Sequence, residues 1–205
     1  TGIVTALYDV PVGDAWPRSR LMQLGDAIDA AGLDFAVVES IPVHENIKLG
    51  RPTRDRLIAN YCASIRAMGE AGVPVLCYNF MPVFDWLRTD LAFELADRST
   101  TLAFDEAALA GIDLSHGTGD LPGWATTYSA NQLHELRQAY AAVGADELWE
   151  NLAYFLERVV PAAESAGVWL ALHPDDPPWP VSGFPRIITG GAALERVVDL
   201  VDSPA

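Results

Sequence analysis

The clearest candidate for a functional site in this sequence is a proline-rich run at 173–178. It reads His-Pro-Asp-Asp-Pro-Pro and includes His173 and Asp175. Proline fixes its own backbone and restricts the residue before it, so these polar side chains have little conformational freedom to lose. An imidazole at the end of a strand can bind a divalent metal, and a neighbouring carboxylate can orient it. A hydrogen-bonded structural histidine is the alternative interpretation.

Two further polar groups follow shorter apolar runs. Glu39, His44 and Glu45 fall within seven residues of one another. A histidine and two carboxylates suit a metal or sugar hydroxyls, and exposed loop residues explain them equally well. Tyr78 and Asn79 end the next apolar run. Asn79 can pair with a polar substrate, whereas Tyr78 can simply pack at the mouth of a site.

Arg88 is notable because cations are scarce in this sequence. The chain has 13 Lys and Arg residues against 28 Asp and Glu residues. An arginine beside an aromatic residue such as Trp86 suits bidentate capture of a substrate carboxylate. A surface ion pair with Asp85 or Asp90 is the alternative.

The elements that must position these side chains follow a repeated pattern. An Ala-Gly pair, a short apolar run, polar residues and then a proline occur at 31–42, 71–82 and 166–177, with a shorter version at 1–11. The runs are too short for helices and predict buried strands. Apolar residues at helical spacing precede each Ala-Gly pair. The predicted order is β-α-β-α-β, a long excursion, then α-β-α.

Two of these helices have predicted limits. The helix before the last Ala-Gly pair is expected over 148–163, with Asp146 as its N-cap. The final helix is expected over 192–201. Within the excursion, 131–140 also has a helix-like pattern.

Alternating strands and helices predict parallel strands joined by right-handed crossovers. An open doubly wound sheet and a (β/α) barrel both fit this order. Polar residues follow all four apolar runs, which favours the barrel because barrel active sites are built from several strand ends. The segment at 84–145 is too long for an ordinary connection. We predict a lid or substrate-binding insertion, with a domain-swapping arm or an oligomer contact as the alternative.

Composition limits the class of protein further. Half of the 205 residues are apolar, which is enough for a sizeable core. The net charge is −15, so binding to nucleic acid or to anionic membranes is disfavoured. The sequence has no membrane-length apolar run or signal segment. Cys62 and Cys77 lack zinc-site spacing and indicate reduced thiols in a cytosolic protein. His116 and His134 are predicted to be surface residues. A chain that enters a strand at Thr1 is expected to have lost its beginning.

Four long motifs resemble those of the D-mannonate dehydratase family and occur in the family's order. They are TGIVTAL at 1–7, VESIPVHENI at 38–47, CYNFMPVFDWLRTD at 77–90 and HPDDPPWPVSGFPR at 173–186. The resemblance implies an α/β fold of the TIM (β/α)8-barrel type. Residues 1–205 would then be a single incomplete barrel domain of about four β/α units, with the insertion at 84–145 after the third strand.

The resemblance also implies a function. The family consists of cytoplasmic hydro-lyases of hexuronate catabolism, which dehydrate D-mannonate to 2-keto-3-deoxy-D-gluconate with Mn²⁺ or Fe²⁺. The metal polarises substrate oxygens, a base removes the proton alpha to the carboxylate, and an acid assists loss of the hydroxyl. The general base and acid are not assigned to residues.

Site residues follow from matching motifs. His173 corresponds to the family's first metal-ligand histidine. Asp175 and Glu39 are predicted to orient the metal ligand without binding the metal themselves. The residues expected to bind substrate are Arg88, Asn79, His44, Trp86 and Tyr78.

The sequence also departs from the family. The family's later Cys, His and Asp metal ligands have no counterpart motifs, and Tyr8 and Asp9 stand where many members have two histidines. We therefore predict that the 205-residue chain alone is inactive and binds Mn²⁺ weakly. The predicted partner of the intact protein is a small sugar acid, and the intact protein is expected to be a homo-oligomer.

Two alternatives remain open. A related metal-dependent barrel isomerase or epimerase would share fold and metal but not remove water. A non-catalytic half-barrel would oligomerise to complete its sheet, because an open half-barrel exposes strand edges and apolar surface.

Overall fold

The computed structural model describes residues 1–111 and 128–205. The elements, in chain order, are β1 (Gly2–Thr5), α1 (Arg18–Ala30), β2 (Asp34–Glu39), α2 (Glu45–Lys48), α3 (Arg54–Glu70), β3 (Val75–Tyr78), β4 (Asp90–Glu94), β5 (Thr100–Ala103), α4 (Glu106–Ala110), α5 (Ala130–Ala166), β6 (Trp169–Leu172) and α6 (Gly191–Val198). Neither described range contains a helix whose length and hydropathy would carry it across a lipid bilayer.

Four strands form one parallel sheet in the order β1-β2-β3-β6. β6 pairs directly with β3, so the chain leaves this sheet after β3 and returns beside it after the excursion. Glu39 pairs with Cys77, and Tyr78 pairs with Leu172. Because the strands are parallel, their carboxyl ends meet at one edge of the sheet. The predicted α/β class and the four parallel strands are confirmed.

The core lies where β3 meets the helices that follow the strands. Leu76 on β3 and Ile65 on α3 have no exposed surface, and the same is true of Phe155 on α5. The Phe155 ring lies 5.1 Å from that of Tyr61 and 6.2 Å from that of Tyr78, measured between centroids. Aromatic pairs at this spacing add to the free energy gained by burial. The core therefore fixes the end of β3, where two predicted site residues lie.

Helix α5 differs from its predicted limits. It begins after Ser129, whose hydroxyl accepts from the backbone N–H of Gln132 while the Gln132 side chain accepts from the backbone N–H of Ser129. The helix-like stretch at 131–140 is confirmed. Gly144, with φ 68° and ψ −177°, breaks α5 into two helical parts, so the second part begins close to the predicted start, but Asp146 follows the break and is not the N-cap of α5, which is Ser129. Glycine adopts positive φ without the steric penalty of a side chain.

The described part of the excursion contains an antiparallel hairpin of β4 and β5, followed by α4. The hairpin is exposed along nearly its whole length. A lid role for 84–145 stays a prediction. His116 lies outside the described residues, as does the rest of 112–127. The final helix, expected over 192–201, spans Gly191–Val198.

Candidate active site

The carboxyl ends of the parallel strands border a cavity of about 640 Å³. Every strand of the parallel sheet contributes a residue at or just after its end. Five of the eight site residues predicted from the sequence line it, namely Glu39, Tyr78, Asn79, Trp86 and His173. Tyr8, Cys77 and Asp85 also line it. Polar groups from several strand ends thus converge on one concave surface, as in the active sites of α/β proteins.

His173 is fixed by its position directly after β6. Its backbone N–H donates to the Tyr78 carbonyl at 2.8 Å, which extends the pairing of β6 with β3. The Nδ1 atom lies 2.7 Å from the Pro174 carbonyl oxygen. Because a carbonyl can only accept, we assign the proton to Nδ1. In the neutral ring, Nε2 then carries the lone pair that a metal or a substrate proton needs.

Asn79 uses both ends of its amide to shape the loop after β3. Its Oδ1 accepts from the backbone N–H of Met81 at 3.3 Å, and its side chain hydrogen-bonds Asp85. Burial raises the pKa of Asp85, while Lys48 opposes that shift. The sequence offered Asp85 only as an alternative partner of Arg88, yet the loop places it in the cavity.

Tyr78 and Cys77 form a less reactive part of the wall. Tyr78 is buried and its ring contacts Phe155, which matches the packing interpretation of this residue. Burial raises the pKa of the Tyr78 phenol. Burial likewise raises the pKa of Cys77 to about 11, so its thiol stays protonated near neutral pH.

Arg88 forms an ion pair with the proline-rich run. Its Nη2 donates to Asp176 Oδ2 at 2.8 Å, and its Nη1 donates to the Leu87 carbonyl at 2.7 Å. Its guanidinium lies 5.1 Å from the centre of the Trp86 ring. The alternative prediction of an ion pair with Asp85 or Asp90 is wrong, because sequence proximity does not show which loops meet in space. The pair joins the loop after β3 to the loop after β6.

The Asp175 side chain binds the backbone of a distant segment, residues 187–188. Its Oδ2 accepts from the N–H groups of Ile187 and Ile188 at 2.7 and 2.8 Å, and its own N–H donates to the Ile188 carbonyl at 3.0 Å. The residue is 4% exposed, and burial raises the pKa of its carboxyl. Asp175 therefore ties the proline-rich run to the chain before α6, and its predicted role in orienting His173 stays a prediction.

His44 lies in an adjoining cavity of about 480 Å³, which shares Asp85 and Pro42 with the strand-end cavity. It is the N-cap of α2, where its Nδ1 accepts from the backbone N–H of Asn46 at 3.0 Å. Burial lowers the pKa of His44, and the charge of Glu45 opposes this shift.

Lys48 and Arg186 are two buried charged residues that sequence reasoning missed, whereas the less buried Glu45 was singled out there beside His44. Glu45, Lys48 and Arg186 surround the loop after β3. Lys48 is the single lysine of the sequence and is 3% exposed. A single lysine between Ile47 and Leu49 was the available signal, because a lysine that is buried among apolar residues needs a partner for its charge.

The described residues do not fit a complete metal site. Across 1–111 and 128–205, no group of three or more His, Cys, Asp or Glu side chains could hold a metal ion. Mn²⁺ and Fe²⁺ normally take several nitrogen and oxygen ligands. His173 is the one metal ligand assigned from the sequence, so it cannot complete such a site with the neighbours described.

Fold and cavity together define the class: an α/β protein with polar side chains gathered at the carboxyl edge of a parallel sheet. Comparison with known families narrows the class. The chain matches the family described as D-mannonate dehydratase (UxuA) over residues 1–205, and it belongs to that family.

Individual relatives agree with this assignment. The chain is 54% identical over 202 residues to a mannonate dehydratase of Streptococcus agalactiae, covering 98% of this chain and 58% of the relative. It is 53% identical to one of Streptococcus equi subsp. zooepidemicus, covering 99% and 56%. It is also similar to the crystal structure of mannonate dehydratase from Streptococcus suis, with a TM-score of 0.87, 50% identity and coverage of 98% and 54%. The chain thus spans somewhat more than half the length of these relatives.

Proposed function

We propose that this chain supplies the N-terminal part of an enzyme that dehydrates D-mannonate to 2-keto-3-deoxy-D-gluconate. The observation that carries the proposal is the strand-end cavity, which gathers His173, Asn79 and Glu39 at one edge of the sheet. Family membership supports the choice of reaction. In this proposal, the sheet forms the first four β/α units of a TIM barrel, and the cavity is one wall of its sugar-acid site.

The side chains of the wall suit a polyhydroxylated carboxylate. Glu39 offers carboxylate oxygens that accept hydrogen bonds from sugar hydroxyls. The flat Trp86 ring offers an apolar face to the carbon chain, and it also stacks near Arg88. Arg88 is not among the lining residues, but its guanidinium has five N–H donors and gives one to Leu87 and one to Asp176, so it retains donors for a substrate carboxylate.

The metal of the family, Mn²⁺ or Fe²⁺, is not accommodated by the described residues alone. We assign one imidazole ligand, His173, to the site and expect the other ligands to come from parts of the protein outside the described residues. Such a metal would supply Lewis acidity. For the 205-residue chain by itself, we expect no dehydratase turnover and weak Mn²⁺ binding. We further propose that the intact protein is a cytoplasmic homo-oligomer of hexuronate catabolism.

The role of His173 is tested in a joined protein. Residues 1–205 are fused to the C-terminal remainder of the Streptococcus suis relative, and formation of the 2-keto acid from D-mannonate is measured with bound manganese. His173→Ala is expected to lower manganese content and turnover together. The matched control is His134→Ala, which removes an exposed histidine on α5 and is expected to change neither.

Two results would overturn the proposal. Full manganese occupancy and turnover in His173→Ala would show that this histidine is not a ligand. Conversion of D-mannonate to an isomer or epimer without loss of water would instead favour the isomerase alternative.

A further inference from the structure

Four consecutive residues, 81–84, are held by three charged side chains from other parts of the chain, of which Lys48 and Arg186 are buried and Glu45 is 17% exposed. Lys48 Nζ donates to the Met81 carbonyl at 2.6 Å, and Glu45 Oε1 accepts from the Val83 N–H at 3.3 Å. Arg186 donates from Nη1 to the Pro82 carbonyl at 3.0 Å and from Nη2 to the Phe84 carbonyl at 2.8 Å. We call Glu45, Lys48 and Arg186 the loop clamp.

The backbone inside the clamp has a conformation that its sequence disfavours. Val83 has φ 64°, in the left-handed region. A β-branched side chain is rare there, because its Cβ crowds the backbone. Phe84 N–H donates to the Pro82 carbonyl at 2.7 Å, which closes a tight turn around Val83. Such conformations persist where the surroundings over-determine them, and they cluster at functional sites.

Keeping the charged groups of the clamp away from water also costs free energy. Lys48 Nζ and Glu45 Oε1 are 2.8 Å apart, and Tyr140 donates a hydrogen bond to the other Glu45 oxygen. Taking such charges out of water costs free energy that their attraction offsets incompletely, and apolar side chains often replace a buried pair without loss of stability. A stabilising role alone therefore explains the clamp poorly.

Two of the residues that follow the clamped turn line the cavity in which the ligand is proposed to bind. Asp85 and Trp86 line the strand-end cavity, and Arg88, which is not among its lining residues, pairs with Asp176. A fixed turn determines where these side chains stand, and small displacements of binding groups lower catalytic rates steeply.

We propose that Glu45, Lys48 and Arg186 are positioning residues. They hold residues 81–84 in the left-handed turn and thereby set the positions of Asp85 and Trp86 against a sugar-acid ligand. The identity of that ligand rests on the function proposed above, whereas the effect of the clamp on the turn does not.

The test compares Lys48→Met, Val83→Gly and the double variant in the 205-residue chain. Glycine adopts positive φ freely, so Val83→Gly removes the need for the clamp. The first readout is the ¹⁹F resonance of 5-fluorotryptophan at position 86, assigned by its loss in Trp86→Phe. The second is hydrogen exchange of the backbone amide at position 83. Arg66→Met, which removes an exposed cation from α3, controls for the change in net charge.

Lys48→Met is expected to shift or broaden the Trp86 resonance and to speed exchange at position 83 by about tenfold or more. Arg66→Met and Val83→Gly are each expected to keep the resonance in place. The double variant is expected to return it towards the wild-type position. If Lys48→Met loses its far-UV circular dichroism, Arg186→Lys replaces it, since lysine keeps the charge but loses the forked contact with two carbonyls.

The proposal is overturned if removing the clamp leaves both readouts unchanged, or if Val83→Gly fails to restore the resonance. Failure of restoration would mean that Lys48 acts through its charge. In the joined protein, Lys48→Met is expected to lower kcat/KM for D-mannonate by about 10- to 100-fold, with partial recovery on adding Val83→Gly. A joined protein that binds and converts no D-mannonate would refute the proposed function, while the two ligand-free readouts would still decide the role of the clamp.

Discussion

Two predicted site residues, Asp175 and His44, hold backbone and are not among the residues that line the strand-end cavity. Asp175 accepts from two backbone N–H groups, and His44 accepts from another at the start of α2. In both cases burial favours the neutral form of the side chain, which raises the pKa of Asp175 and lowers the pKa of His44. At the scale of single residues, much of the polar chemistry identified in the sequence is therefore engaged in shaping the loops that border the cavity.

His44 makes the stability of the protein depend on pH. Its folded pKa lies below the ordinary value because burial disfavours the charged ring, while the charge of Glu45 opposes this shift, and Nδ1 is unprotonated where it accepts from the Asn46 N–H. Its contribution is therefore fully present above the ordinary histidine pKa of about 6.5 and is lost as pH falls through the lower folded value. Asn keeps a capping oxygen but does not titrate.

Urea unfolding of wild type and His44→Asn from about pH 7.5 to pH 5 measures this contribution. We expect the free energy of unfolding of wild type to fall relative to that of His44→Asn towards the acid end. Parallel curves over the whole range would contradict the assignment of His44 as a neutral cap.

Close packing of α3 against α5 is the main feature at the scale of elements. Gly69 on α3 lies against the last residue of α5, and a Cβ added there would stand 2.3 Å from the Ala166 carbonyl oxygen. That oxygen belongs to the backbone of a packed helix and cannot move aside cheaply. Gly167 then ends α5 in the left-handed region, and β6 begins two residues later. The contact at Ala166 therefore also fixes where β6 starts.

Gly69→Ala is expected to lower the free energy of unfolding by about 1–3 kcal/mol through overpacking, despite the better helix propensity of alanine. The matched change is Gly25→Ala on α1, where the added Cβ would lie 3.9 Å from Phe35 Cδ1, an ordinary contact. Gly25→Ala is expected to raise the free energy of unfolding by about 0.5–1 kcal/mol. Denaturant unfolding of both variants measures the difference, and equal stabilisation by both would show that α3 and α5 are not in such close contact.

At the scale of the whole molecule, the sequence predicted the parallel sheet and the gathering of polar residues at its carboxyl edge. Both follow from local information, since short apolar runs alternate with helical periodicity and each run ends in polar residues. The loop clamp could not be predicted in this way. Arg186 lies 104 residues from its acceptor Pro82, and Lys48 lies 33 residues from Met81. Such pairs form because packing brings distant segments together, and nothing in their local sequence specifies the partner.

The edges of the sheet bear on the alternatives. β1 and β6 stand at the two ends of the parallel sheet, and Val4 and Trp169 on them are more than half exposed. In the proposed enzyme, the rest of the barrel covers these strands. In the non-catalytic alternative, a second copy of the chain covers them. The homo-oligomer stays a prediction in either case.

The central claim is that this chain carries one wall of a mannonate dehydratase site and that the remaining metal ligands lie outside the described residues. It is tested most directly by measuring 2-keto acid formation from D-mannonate with Mn²⁺, side by side, for the 205-residue chain and for the joined protein. We expect no turnover by the chain alone and clear turnover by the joined protein. Turnover by the chain alone at the rate of the Streptococcus suis relative, or a folded joined protein without activity, would contradict the claim.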